Sequence, residues 1–77
     1  MIKELDTVVL NDDLPSYGLK RGDLATVVLV HEKAGYEVEF VSLDGETLAV
    51  VSVTADQVRP IARREIAQAR PVEVVPD

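Results

Sequence analysis

The single histidine, His31, is the side chain whose type lets it change charge near neutral pH. Beside a nucleophile it would serve as a general base, and alone as a pH switch. No nucleophile shares its segment, and its neighbours Glu32 and Lys33 mark it as a solvent-facing turn residue. Glu37 and Glu39 alternate with Tyr36, Val38 and Phe40. On a strand the two carboxylates would share one face about 7 Å apart, a spacing suited to acid–base work or to a hard cation. No further ligand accompanies them, so the alternation reads as a solvated strand face. Asn11-Asp12-Asp13 resembles a fragment of a calcium loop, without its later ligands or its acidic last position. Asp12 and Asp13 read instead as turn caps, accepting hydrogen bonds from nearby backbone N–H groups. Lys20-Arg21 is a candidate phosphate contact. With no cysteine, the chain offers no thiolate metal site, Cys nucleophile or disulfide. No catalytic, metal-binding or cofactor-binding set is assigned, and the expectation is a protein that is not an enzyme.

Charge separates the chain into two parts. Residues 1–58 carry eleven acids and four bases, net −7, whereas residues 59–77 carry three acids and four bases, net +1. A body this acidic repels a polyanion at long range, so nucleic acid is a poor partner except through a local basic patch. Aromatic stacking on bases is also thinly supplied, by Tyr17, Tyr36 and Phe40. No apolar run is long enough to span a membrane, and the N-terminus lacks the apolar core of a secretory signal. The expected location is the cytoplasm.

The elements that would position these side chains are strands. Fourteen Val, three Ile and four Thr in 77 residues favour a pleated, half-buried architecture. Strands are expected over residues 6–11, 25–31, 36–41, 47–53 and 58–61. The continuous apolar run from Ala25 to His31 suggests a strand buried on both faces. Residues 11–22, rich in Asn, Asp, Pro and Gly, form a long loop of the kind that carries binding, anchored by Leu14, Tyr17 and Leu19. Gly35 supplies a positive φ after His31, and Asp44-Gly45 centres a hairpin turn. Thr54 is placed to cap a single helical or 3₁₀ turn through Gln57. Residues 62–70 are the one good helix-forming stretch, closed by Pro71. The sum is an all-β domain over residues 1–62, a small SH3-like five-stranded barrel, with a tail over residues 63–77 made of a short helix and an extended segment. An OB-like barrel is the alternative, for which these strands are short.

Several stretches also resemble a known family. They are Asp6-Thr7-Val8-Val9-Leu10, Leu14-Pro15, the run from Gly18 to Val28, Tyr36-Glu37-Val38-Glu39-Phe40, Gly45-Glu46-Thr47 and Asp56-Gln57-Val58. Together, over about residues 5–61, they resemble small bacterial SH3-like domains of unknown function. Gly22 to Val30 is also similar to the KOW-type segment of ribosomal and transcription proteins. The first resemblance implies a small partner-binding module, such as the lesser member of a toxin–antitoxin-like pair.

The leading expectation is therefore a protein-interaction module, antitoxin- or immunity-like, whose acidic surface covers a basic protein through Asp12, Asp13, Tyr17, Glu37 and Glu39. A KOW-like RNA- or ribosome-associated domain using Lys20, Arg21 and the tail arginines is the alternative. A third reading is a homo-oligomer assembled through Ile66, Val72, Val74 and Val75 of the tail.

Overall fold

A computed structural model describes residues 1–73, and Val74 and Val75 lie outside the described residues. Five strands form one antiparallel sheet: β1 (Thr7–Leu10), β2 (Leu24–His31), β3 (Gly35–Val41), β4 (Thr47–Thr54) and β5 (Val58–Pro60). Their order across the sheet is β4-β3-β2-β1-β5. β1 therefore sits between β2 and β5, while β4 and β5 are the two edges with no ladder joining them. Among the described residues no helix is long and apolar enough to cross a membrane.

One apolar cluster receives side chains from every strand: Val8 and Leu10, Ala25 and Val27, Val38 and Phe40, Val51 and Val53, and Val58. The two-residue period of a strand turns these to one side and leaves Glu37 and Glu39 on the other. Leu19 reaches the same cluster from the long loop, and Leu14 packs against it. These two leucines close the loop with a reciprocal backbone pair, of 2.9 and 3.2 Å. A 3₁₀ turn at Pro15–Tyr17 and a left-handed Gly18 lie between them. Tyr17, expected as a third anchor, is 47% exposed instead. A second 3₁₀ turn at Ala55–Gln57 follows Thr54, whose backbone N–H donates to Gln57 Oε1 at 2.8 Å. Gly45 takes φ 93° in the hairpin between β3 and β4.

Three further expectations are corrected. β2 is not buried on both faces: Ala25 and Val27 are buried, but Val28, Leu29 and Val30 are exposed. The β2–β3 register shifts between Val27 and Leu29, and beyond this bulge the strand runs past the core. The left-handed residue of the β2–β3 turn is Ala34, at φ 63°, rather than Gly35. Gly35 is needed for close approach, since a Cβ there would stand 3.1 Å from the Val53 carbonyl oxygen. The helix expected over residues 62–70 does not form. Nine residues fall short of an autonomous helix. The Glu65 carboxylate is also drawn to Arg59 and back to the Ala62 N–H, and Arg64 turns left-handed at φ 64°. The fold is all-β with five strands as expected, and its hydrogen-bonded ladders do not close into a ring.

Ala34→Gly removes a left-handed alanine and is expected to stabilise the domain by up to about 1 kcal/mol, read as a higher urea midpoint. Gly35→Ala is expected to lower the midpoint. Were the two effects exchanged, the assignment of this turn would be wrong. Phe40→Ala, at a side chain 2% exposed, is expected to cost ~3–5 kcal/mol, comparable to the whole stability of a domain this size.

Candidate functional site

The face of β2, β3 and β4 away from the core carries two cross-strand rows. Glu37 lies between Leu29 and Ser52, and Glu39 lies between Thr26 and Val50. Both carboxylates are half-buried among these neighbours. His31 Nε2–H donates to Glu37 Oε2 at 2.6 Å, and the Ser52 hydroxyl donates to the same oxygen. Thr47 Oγ1 donates to Glu39 Oε2 at 2.8 Å. The Ser52 and His31 hydrogen bonds hold the Glu37 carboxyl below its ordinary pKa, so it stays ionised.

A serine, a carboxylate and an imidazole in contact invite comparison with a hydrolytic triad. The order is wrong for that chemistry. A triad places the imidazole between hydroxyl and carboxylate so that it can take the hydroxyl proton. Here Glu37 stands in the middle and the Ser52 proton already points at it, so Ser52 is not activated by His31. Among the described residues no three His, Asp or Glu side chains converge as a metal site would require. The two best-formed depressions, of about 130 and 220 Å³, are smaller than usual ligand clefts. What the face offers is a fixed pair of anionic acceptors beside exposed apolar side chains, Leu29 at 45% and Val50 at 53%.

The other expected residues belong to a second place. Asp12, Asp13 and Tyr17 are exposed on the long loop between β1 and β2. Asp13 caps that loop as expected, its Oδ1 accepting from the Arg21 N–H at 2.9 Å. The loop and the β3 carboxylates are thus separate groups on different elements, and no hydrogen bond joins them. In the tail, Ile66 is 94% exposed and Val72 is half-buried.

Two ion pairs were not anticipated. The Arg70 guanidinium takes both oxygens of Asp23, with Nε–H to Oδ1 at 2.8 Å, and also donates to the Gly18 carbonyl at 3.2 Å. Asp23 Oδ2 further accepts the Lys20 N–H at 2.8 Å. Burial raises the Asp23 pKa, but the hydrogen bonds from Arg70 and Lys20 outweigh it and leave the carboxyl below its ordinary value. Arg59 forms a bidentate pair with Glu65, at 2.9 and 2.6 Å, and the Ala62 N–H adds a third bond. These bonds lower Glu65 from 4.5 to about 2. Only the density of arginine in the tail hinted at such pairs; their partners lie six and forty-seven residues away.

The match to known families now has a structural frame. Residues 4–60, from just before β1 to the end of β5, fit the model of a domain of unknown function, DUF4926. The chain belongs to the DUF4926 family. The matched segment holds all five strands and both 3₁₀ turns. In this DUF4926 chain Arg70 reaches back from beyond the matched segment to Asp23 within it. No curated protein and no solved structure matches the chain.

Arg70→Met is expected to raise amide exchange across residues 62–73 and to lower global stability by about 1–3 kcal/mol while leaving exchange in β2 and β3 protected. Unchanged exchange in the tail would show that the pair does not hold it. Glu65 is ionised more readily when folded, so its contribution is full above about 4.5 and fades as pH falls toward about 2. In Glu65→Gln the stability should therefore fall less steeply over that interval, as measured by urea midpoints at each pH. An acid slope equal to that of the unaltered chain would remove Glu65 from the account.

Proposed function

We propose that this domain is a protein-interaction module without enzymatic activity, antitoxin- or immunity-like, and that a basic protein docks on the outer face of β2, β3 and β4. The observation that carries the reading is the composition of that face. Glu37 and Glu39 stand on that face, held by hydrogen bonds from His31, Ser52 and Thr47 beside exposed Leu29 and Val50. Apolar area gives such an interface affinity, and the carboxylates give it steering and a preference for a cationic partner. Asp12, Asp13 and Tyr17 would form a second, loop-borne contact.

The scaffold of this reading is an SH3-like small barrel. Side chains from both edge strands, Val51 and Val53 on β4 and Val58 on β5, share one buried cluster. A flat sheet would hold those edges about 19 Å apart, four strand spacings, so a curled sheet accounts for the shared core. The RNA-binding alternative has less to draw on: Arg59 and Arg70 are engaged by Glu65 and Asp23, which leaves Lys20, Arg21, Arg63 and Arg64 as its cations.

The test begins with a partner retained by the tagged domain and then purified. Its association rate should fall about tenfold or more with Glu37→Lys and Glu39→Lys combined, and should fall as salt rises. Charge reversal at Asp44 and Glu46, on the hairpin, should change it far less. Equal rates for both double variants would sink the assignment of this face. A salt-dependent titration with single-stranded RNA serves the alternative, which fails if no binding appears at low salt.

A further inference from the structure

The two edges of the sheet are treated differently. β5 is three residues long and contains Arg59 and Pro60, which are the usual devices for keeping an edge from pairing with another chain. β4 has none of them. It is eight residues long, Thr-Leu-Ala-Val-Val-Ser-Val-Thr, without a charge or a proline. It pairs with β3 from Thr47 to Thr54, with a register shift between Phe40 and Val41 that leaves Leu48 out of the pairing, and among the described residues no other backbone ladder reaches residues 48–53. Its second row of N–H and C=O groups is therefore available to a further strand.

From this edge we infer that β4 accepts, by strand addition, an extended segment of a partner in which basic and apolar residues alternate. The inference rests on the reading of the outer face as the partner surface and specifies how the partner binds. A strand added beside β4 alternates its side chains between the two sides of the sheet. Those on the outer side lie beside Val50 and Ser52, two strand spacings or about 10 Å from Glu39 and Glu37. A Lys or Arg stem laid over Val50, which is 53% exposed, covers apolar surface and carries its cation toward Glu39. The next outer residue of the incoming strand stands about 7 Å along, the same step that separates Glu37 from Glu39. Side chains in between fall on the side of Ala49, Val51 and Val53, where apolar residues fit. Main-chain bonds would supply affinity and the two carboxylates would select the charge. A second copy of this chain is the less fitting occupant, because each copy carries a net charge of −6.

The experiment uses the full chain and the capped peptide Lys-Val-Lys-Val-Lys-Val at low ionic strength. Two companions are used: the same peptide N-methylated at every residue, and Thr-Val-Thr-Val-Thr-Val. The expected result is binding of the Lys-Val peptide at least about tenfold tighter than either companion, with new amide-exchange protection within residues 48–53. Glu37→Gln with Glu39→Gln should remove most of its advantage over the Thr-Val peptide. Equal binding of the methylated peptide overturns strand addition while leaving the acidic face as a partner surface. Equal binding of the Thr-Val peptide overturns the choice of a basic segment. Protection of residues 48–53 that grows with protein concentration in the absence of peptide overturns it in favour of a second copy. If no peptide binds, the inference fails, and the fate of the proposed function is read separately from the charge-reversal rates with the purified partner.

Discussion

Every strand of this domain depends on a single apolar cluster centred on Val8, Val27, Val38 and Phe40. The chain has no cysteine with which to staple itself, so the cluster must hold the sheet and the long loop together. Its side chains arrive from all five strands and from Leu19, so no strand can leave without opening the others. The acidic face exists because of it. Once Tyr36, Val38 and Phe40 turn inward, Glu37 and Glu39 have no choice but to turn outward, and the cross-strand register then brings Ser52, His31 and Thr47 to them.

Much of this was legible in the residues. β-branched runs marked the strands, Asp44-Gly45 marked the hairpin, and Thr54 with Gln57 marked the turn before β5. The placement of Glu37 and Glu39 on one face followed from strand alternation. What could not be read depended on pairing between distant segments. Ser52 reaches Glu37 only through the β3–β4 register, and His31 only because β2 shifts its register past Val27. The burial expected for the whole of β2 failed for the same reason, since apolar character says nothing about where a core ends. Residues 62–70 show local propensity losing to specific bonds: the helix formers are present, but Glu65 has better partners in Arg59 and the Ala62 N–H than a helix would offer.

The tail and the body are connected by charge rather than by apolar burial. Arg70 gathers Asp23, the Gly18 carbonyl and, through Asp23, the Lys20 N–H into one knot. The basic excess of the last nineteen residues is thus partly an internal counterweight to the acidic body. Arg70 is a tether on the first loop, while Arg59 is held by Glu65 of the tail.

The openness of β4 has a colloidal side. A long uncharged edge in water is a nucleus for sheet growth between copies, and this one carries neither proline nor charge of its own, only the irregularity beside Leu48. Its protection is the field of the carboxylates around it, which acts at a range set by the ionic atmosphere. At physiological salt that atmosphere extends about 8 Å, enough for approaching copies to repel one another before their backbones can bond. At 1 M it shrinks to about 3 Å, and near the isoelectric point of about 4.6 the net repulsion vanishes. The acidity of the domain thus also guards the unpaired β4 edge against pairing between copies.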